Sequence, residues 1–94
     1  MIISFRCKDT EAIFNGETTK KFSKAVINIG KRKLDMIENA HAEQDLRVPP
    51  SNHFEPLKGD LKGFYSIRIN RQFRIVFRYK NGDAYELYIT DYHK

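Results

Sequence analysis

Three of the four arginines between residues 64 and 78 lie at positions that share one face of a predicted antiparallel pair of strands. Side chains along a strand point alternately to its two faces, so Arg68 in the first strand and Arg74 and Arg78 in the second lie opposite an apolar face. A guanidinium donates hydrogen bonds in a planar fork that matches phosphate oxygens. This arginine face would bind a phosphodiester and stabilise the charge of its transition state.

Titratable side chains come before and after the arginines in the sequence. The candidates are Glu55, Asp91, Tyr92 and His93. Cleavage of RNA without a metal ion requires one group to remove the proton of the 2′-hydroxyl and another to protonate the departing 5′ oxygen. The residue pattern predicts that these two groups come from this set, and it leaves open which residue takes which role.

Lysines in the approach to the sheet extend the positive charge. Lys58 and Lys62 flank Gly59, which permits a turn with positive φ, and we expect both lysines beside the arginine face. A lysine there would contact a phosphate of an RNA backbone as a point charge. The expected RNA-binding residues are therefore Lys58, Lys62 and Arg78.

An ordinary structural explanation also fits the arginines. Strand arginines commonly pair with carboxylates on neighbouring strands. Glu86 belongs to the next predicted strand and Asp83 to the turn before it. A second basic cluster, over residues 31–33 of a predicted helix, either binds nucleic acid or forms a solvated face, and the second explanation is the more common one. The pattern alone does not decide between binding and simple pairing on the sheet.

Other kinds of chemistry lack their residues. The chain has no phosphate-binding loop, no dinucleotide-binding glycine motif, no HExxH and no paired cysteines. His41, His53 and His93 lack the spacing of metal ligands, and no base is placed to activate Cys7. We therefore expect neither a metal ion nor a cofactor.

The hydrophobic pattern predicts an α+β fold. A short strand covers residues 2–6, a brief helix 11–14, a longer helix runs from about Ser23 to about His41, and strands over residues 64–70, 73–79 and 84–90 form an antiparallel meander. We expect two N-terminal helices on one face of a small, mostly antiparallel sheet, with the polar face left free.

Three finer expectations follow from the same alternation and helical periodicity. In the last strand Tyr85 shares the core side with Leu87 and Ile89. On the long helix Lys33 alone interrupts the apolar half, and its ammonium is expected to reach water. Residues 45–52 contain consecutive prolines and are expected to form an extended connection.

Length and charge fit one soluble domain over residues 1–94. The chain carries 17 Lys and Arg against 12 Asp and Glu, a net charge of +5, which favours polyanionic partners without identifying one. The single cysteine cannot form an internal disulfide, and no apolar run suits a signal peptide or a membrane span. We expect a reduced, cytoplasmic protein that does not bind a membrane.

The run PLKGDLKGFYSIRIN, followed by FRIVFRY, NGDAY and the terminal DYHK, resembles the HigB-type toxins of the RelE/ParE superfamily of type II toxin-antitoxin systems, whose members carry five motifs in this order. The N-terminal SFRCKDTEAIF and the DLRVPP segment are similar as well. The resemblance covers nearly the whole chain. It implies a RelE-like fold similar to microbial ribonucleases.

The resemblance also implies a function and a set of roles. Such toxins cleave messenger RNA in the decoding site of the ribosome, and their partner is a HigA-like helix-turn-helix antitoxin, through which alone they reach operator DNA. Phosphate binding and transition-state stabilisation would belong to Arg68 and Arg74, and backbone contact to Lys58. Proton transfer would belong to Asp91, Tyr92 and His93.

Two positions depart from the family pattern. Many relatives have His directly before the P-L-K-G segment, where this chain has Glu55 and carries His53 two places earlier. If that histidine is the base in those relatives, either Glu55 takes its role here or proton transfer falls to Asp91 and His93. Phe73 stands where relatives usually have Trp.

Two alternative functions are a toxin of the same fold that inhibits a protein such as DNA gyrase, and a basic nucleic-acid-binding module without chemistry.

Overall fold

An antiparallel sheet of four strands carries the helices on one of its faces. The computed structural model describes residues 1–91. The helices are α1 (Lys8–Phe14), α2 (Lys24–Asn39) and α3 (Glu43–Leu46), and 3-10 turns cover Pro50–Asn52 and Gly59–Leu61. The strands are β1 (Glu55–Pro56), β2 (Phe64–Arg68), β3 (Phe73–Lys80) and β4 (Asp83–Asp91), in the order β1–β2–β3–β4. The predicted α+β class is confirmed, while β1 and α3 were not predicted.

The β2–β3 register follows from the alternation of apolar and polar side chains. Arg68 pairs with Arg74 and Phe64 with Arg78, so these side chains share one face. The other face carries Ile67, Ile75 and Phe77, which are fully buried against the helices. The predicted strand faces are therefore confirmed for β2 and β3.

Helix α2 supplies most of the helical side of the core. Its N-cap Ser23 accepts a hydrogen bond from the backbone N of Val26 at 3.2 Å, which satisfies one of the free amides of the first turn. The apolar half of the helix, including Val26, Leu34 and Ile37, is buried. The helix ends at Asn39, two residues before the predicted His41. No helix within residues 1–91 is long and apolar enough to cross a membrane.

The N-terminal segment lies beside β4 without forming the predicted strand over residues 2–6. Only isolated parallel bridges join Ile2 to Ala84 and Phe5 to Leu87. The segment adds backbone hydrogen bonds along this edge, including Ile3 N to Ala84 O at 2.7 Å and Arg6 N to Leu87 O at 2.9 Å. It therefore brings Arg6 alongside the last strand.

A β-bulge in β4 changes the predicted faces of that strand. The register shifts between Val76 and Arg78, and Glu86 has a φ of 57°. Tyr85 consequently pairs with Arg78 and shares the arginine face. The expectation that Tyr85 lies on the core side was wrong, because period-two alternation does not hold across an inserted residue.

Lys33 and the connection after α2 also differ from prediction. The Lys33 side chain is buried, and its ammonium donates a hydrogen bond to Oδ1 of Asn52 instead of reaching water. The expected extended connection over residues 45–52 contains the end of α3 and a 3-10 turn. Both differences have one cause, since the folded connection places the fully buried Asn52 next to α2.

Candidate active site

Arg68 and Arg74 form the centre of the arginine face. They are direct cross-strand partners on β2 and β3. Arg74 is only 8% exposed, and its Nε donates to the hydroxyl of Ser66 at 2.8 Å. Its Nη2 donates to the backbone carbonyl of His53 and lies 3.5 Å from the carbonyl oxygen of Ser66. The guanidinium is therefore fixed in one orientation, as a preorganised anion site requires.

Glu55 lies beside the buried arginine. Strand β1 pairs with β2 so that Glu55 faces Ser66, and the Glu55 carboxylate Oε1 lies 3.4 Å from Nη2 of Arg74. The Glu55 side chain is 46% exposed. A carboxylate that is both solvent-accessible and next to a phosphate-binding guanidinium is suitably placed to accept a proton from a bound hydroxyl.

His53 completes this cluster, although sequence reasoning considered it only as a metal ligand or as a displaced counterpart of a family histidine. It adopts left-handed backbone angles, φ 45° and ψ 49°. Its Nε2 lies 3.2 Å from Nη1 of Arg68 and accepts that hydrogen bond, because a guanidinium only donates. His53 therefore contacts both central arginines, through its ring and through its carbonyl. No pattern in the sequence indicates these two contacts, because they depend on the left-handed backbone of His53.

Buried polar contacts hold the residue before His53. The Asn52 amide nitrogen donates to the carbonyls of Leu46 at 3.1 Å and Val48 at 3.4 Å, while its oxygen accepts from Lys33. Burial lowers the pKa of the Lys33 ammonium, and the nearby charge of Arg32 lowers it further. These contacts anchor the connection to α2 and so fix the position of the His53 carbonyl.

Arg78 lies at the far end of the arginine face. There the alternative prediction, that strand arginines simply pair with neighbouring carboxylates, is correct in part. Its Nε lies 3.1 Å from Glu86 Oε2. Asp83 instead lies 3.6 Å from the N-terminal ammonium of Met1. Pairing with a neighbouring carboxylate was thus predicted correctly for Glu86 and wrongly for Asp83.

The two predicted lysines lie at the ends of the turn before β2. Lys58 occupies the N-cap position of the 3-10 turn Gly59–Leu61, and Lys62 follows it. Both are exposed. Next to them Leu57 is buried with Phe64 and Val76 in a small apolar cluster on the arginine face. This cluster attaches the lysine-bearing turn to the sheet.

Asp91 does not share the arginine face. Its Cα partner on β3 is Phe73, whose side chain packs with the helices, and partners directly opposite each other point to the same face. Its Oδ2 accepts a hydrogen bond from Nε2 of Gln72 at 3.0 Å. The register therefore places Asp91 on the Phe73 side of the sheet, and its neighbour Thr90 takes the position opposite Arg74. Tyr92 and His93 lie outside the described residues.

The helices pack against the other face of the sheet, away from the arginine face. A cavity of about 360 Å³ lies elsewhere, by the N-terminus and the Asn81–Gly82 turn, and a second of about 450 Å³ lies along α3. Within residues 1–91, no group of three or more His, Cys, Asp or Glu side chains is arranged to hold a metal ion. The geometry suits a polymer laid across a cationic surface.

Comparisons with known proteins find one family and relatives that match almost the whole chain. A family model described as a RelE-like toxin of the type II toxin-antitoxin system HigB matches residues 3–93. Toxin HigB-1 of Vibrio cholerae is 40% identical over 95 residues, covering 100% of this chain and 99% of that protein. Endoribonuclease HigB of Proteus vulgaris is 33% identical over 93 residues, covering 99% of this chain and 100% of that protein.

A solved structure supports the fold. A mutant of YafQ from Escherichia coli superposes with a TM-score of 0.66 at 14% identity, covering 98% of this chain and 92% of the other. At that identity the likeness concerns the fold alone. The family model and the relatives extend over almost the whole length, so the chain belongs to the HigB-like family of RelE-like toxins of type II toxin-antitoxin systems.

Proposed function

We propose that this toxin is an endoribonuclease that cleaves messenger RNA on its arginine face. The observation that carries the proposal is the buried guanidinium of Arg74, held by Ser66 and His53 beside its partner Arg68. Burying a charge is costly unless it is paired and hydrogen-bonded, as Arg74 is by Glu55, Ser66 and His53. An oriented guanidinium is what a phosphodiester transition state requires. The relative from Proteus vulgaris is named an endoribonuclease.

The proposed reaction uses the ribose of the substrate as the nucleophile. The 2′-oxygen attacks the adjacent phosphorus, its proton passes to a base, and the bond to the 5′ oxygen breaks as that oxygen receives a proton. Glu55 is the proposed base because its carboxylate lies on the arginine face, 3.4 Å from Arg74. Tyr92 and His93 are the proposed source of the second proton, as the family resemblance implies. No metal ion takes part in this scheme.

Arg68, Arg74 and the lysines have different proposed roles in RNA binding. The two arginines stabilise the charge that accumulates on the phosphate oxygens in the transition state. Lys58 and Lys62, exposed on the turn before β2, contact neighbouring phosphates and position the strand. Removing either lysine is expected to weaken binding more than it slows the chemical step.

We also propose that the ribosome supplies the positioning that an open face lacks. The arginines lie on one face of the sheet and the helices cover the other, so we expect free RNA to adopt the in-line geometry only seldom. Holding the message in that geometry removes translational and rotational cost from the chemical step, a contribution of ~7–11 kcal/mol in favourable cases. The decoding site is the proposed location, and the cytoplasm is the proposed compartment.

The proposed partner is an antitoxin of the HigA type. The family description places the chain in a two-component toxin-antitoxin system, and an uncovered nuclease face would harm the cell. The antitoxin carries the helix-turn-helix, so operator DNA is contacted through it. A net charge of +5 favours an acidic antitoxin surface.

Primer extension on a defined message in a purified translation system tests the function. New 5′ ends that appear only when ribosomes translate the message would support it. Growth arrest without any new ends would contradict it and would favour the gyrase-type toxin. Salt-sensitive RNA binding without product would favour the module without chemistry.

The chemistry of the product ends tests the mechanism. Attack by the 2′-oxygen leaves a 2′,3′-cyclic phosphate on one fragment and a 5′-hydroxyl on the other. A message with 2′-deoxyribose at the cleavage position should resist cutting, while the same change one nucleotide away should not matter. A 5′-phosphate end, or cutting of the deoxy-substituted message, would overturn the proposed chemistry.

A further inference from the structure

A second pair of arginines converges at the end of the arginine face away from Arg68. Arg6 Nη2 donates to Oε1 of Glu86 at 2.7 Å, and Arg78 Nε donates to Oε2 of the same carboxylate at 3.1 Å. The side chains of Arg6 and Arg78 are 47% and 50% exposed. One carboxylate thus bridges two solvent-accessible guanidiniums, and the cluster keeps a net charge of +1.

Aromatic rings fix both guanidiniums in place. Arg78 lies over the Phe64 ring with 4.5 Å from its guanidinium carbon to the ring centroid. Arg6 lies 5.2 Å from the Phe64 centroid and 5.0 Å from the Tyr88 centroid. Stacking on a ring holds a guanidinium in position and leaves its N–H edges free to donate. The guanidiniums of Arg6 and Arg78 therefore keep their orientation when the Glu86 carboxylate moves away.

The backbone brings these residues together by two separate devices. The N-terminal segment pairs with β4 and delivers Arg6 from the other end of the chain. The bulge at Glu86 re-aims this side chain, so that it meets both arginines while Leu87 remains in the core. A φ of 57° at a non-glycine residue is uncommon.

The cluster lies in line with the central arginine pair. Arg74 and Arg78 are four residues apart on β3, which corresponds to about 13 Å along the strand. Between them lie Ser66 and Val76, which are both fully buried. The face thus carries cationic groups on both sides of the apolar cluster of Leu57, Phe64 and Val76, at a separation that the backbone of a single strand can span.

We propose that Arg6 and Arg78 form a second phosphate site, which binds the RNA strand away from the cleaved bond, and that Glu86 occupies this site until RNA displaces it. The inference rests on the proposed nuclease function. A carboxylate held between two guanidinium forks stands where two oxygens of a phosphodiester would lie. Glu86 is 42% exposed, so its side chain can turn into water when RNA arrives.

RNA suits this site better than an acidic protein segment does. The cluster shares its face with Arg68 and Arg74, so one RNA strand can contact both pairs. The hydrogen bond from Arg6 holds the pKa of the Glu86 carboxyl below its usual value, and the charge of Arg78 adds to this effect. Glu86 therefore stays ionised at neutral pH and competes with any anion that binds.

Binding of an uncleavable RNA tests the site. The probe is a short fluorescent oligoribonucleotide, 2′-O-methylated throughout, whose affinity is measured by anisotropy over a series of KCl concentrations. Arg6→Gln and Arg78→Gln should each weaken binding and reduce the slope of log affinity against log salt by about 0.7. Glu86→Gln should tighten binding by about 2- to 5-fold, because it removes a competing charge.

Matched variants control for charge and folding. Arg32→Gln removes the same charge from the exposed side of α2, and Glu17→Gln adds the same charge as Glu86→Gln at an exposed position. Both should bind the probe almost as the parent protein does. Arg6→Lys keeps the charge and should bind more tightly than Arg6→Gln. Thermal unfolding of each variant separates loss of binding from loss of structure.

The outcomes distinguish this inference from the function on which it rests. Arg6→Gln binding as tightly as Arg32→Gln, or Glu86→Gln binding no more tightly than Glu17→Gln, would overturn the second site. If message cleavage persisted in that case, the nuclease function would stand. Unchanged RNA affinity combined with weaker antitoxin binding by Arg6→Gln would assign the cluster to the antitoxin and also overturn the inference.

Discussion

The Nε of Arg74 donates to the hydroxyl of Ser66 across the β2–β3 pair at 2.8 Å. Ser66 is fully buried and Arg74 nearly so. A small hydroxyl at this position leaves room for the guanidinium to lie against the sheet and gives its buried N–H an acceptor. The orientation of the proposed phosphate-binding group therefore depends on one serine that would not itself touch the substrate.

Ser66→Ala should slow message cleavage by about 10-fold. Leaving a buried donor without its partner costs ~1–3 kcal/mol, and about 1.4 kcal/mol of lost transition-state stabilisation corresponds to tenfold in rate. The comparison is Val76→Ala, which removes packing from the residue opposite Ser66. Both variants are assayed at a temperature where both are folded. Equal cleavage by the two would show that Ser66 does not position Arg74.

Lys33 and Asn52 should be energetically coupled. Lys33→Met and Asn52→Leu each leave a buried polar group without its partner, and each should lower the free energy of unfolding by ~1.5–3 kcal/mol. The double variant removes the ammonium and the amide together, and the lost bonds to Leu46 and Val48 are common to both Asn52→Leu proteins. Its loss should therefore be smaller than the sum by ~0.5–3 kcal/mol. Urea denaturation of the four proteins measures the coupling. Additive losses would mean that the hydrogen bond contributes nothing to stability.

Tyr79→Phe should stabilise the protein at neutral pH. The Tyr79 hydroxyl is buried and has no hydrogen-bond partner among residues 1–91, so its removal should raise the free energy of unfolding by roughly 1 kcal/mol. Aromatic packing against Phe77, with the ring centroids 6.0 Å apart, is retained in the variant. A lower free energy of unfolding than in the parent would show that the hydroxyl is satisfied in solution.

Stability at alkaline pH provides a second measurement on the same variant. Burial raises the pKa of Tyr79, and the carboxylates of Asp45 and Asp83 add to this effect. The unfolded phenol ionises near pH 10, so above about that pH the unfolded chain holds fewer protons and stability falls. Below it Tyr79 contributes no pH dependence. The advantage of Tyr79→Phe over the parent should therefore widen as the pH rises through 10.

Glu55→Gln and Asp91→Asn should differ in their effects on cleavage. Glu55 lies on the arginine face, and loss of a general base typically slows a reaction by ~10²–10⁴-fold. Asp91 pairs with Phe73 on the helix face, so its amide variant leaves the groups of the arginine face unchanged and should cleave within about twofold of the parent. Single-turnover cleavage on programmed ribosomes compares the two. The reverse order of effects would move the base to the C-terminal strand.

Much of the sheet could be predicted from the sequence because strand alternation is a local rule. Arg68, Arg74 and Arg78 share a face because apolar residues at every second position must face the core. The rule failed at Tyr85, where the bulge at Glu86 adds a residue to one strand only. Nothing in the alternation of β4 marks that insertion.

The support of the candidate site depends on tertiary contacts that no local pattern contains. Lys33 interrupts an apolar helix face, and its partner Asn52 lies 19 residues further along the chain. His53 reaches both central arginines only because its own backbone is left-handed, directly after the 3-10 turn Pro50–Asn52. Sequence reasoning identified Arg74 and Glu55 by residue type and position, and it had no means of finding the contacts that orient them.

The central claim is that the fixed guanidinium of Arg74 stabilises the transition state of RNA cleavage. The most direct test measures single-turnover cleavage of a message on programmed ribosomes by the parent protein, Arg74→Ala, Arg74→Lys and the control Arg32→Ala. Arg74→Ala should be slower by at least about 10²-fold. Arg74→Lys should also be impaired because an ammonium lacks the planar fork, and Arg32→Ala should be unaffected. Cleavage by folded Arg74→Ala at the parent rate would contradict the claim.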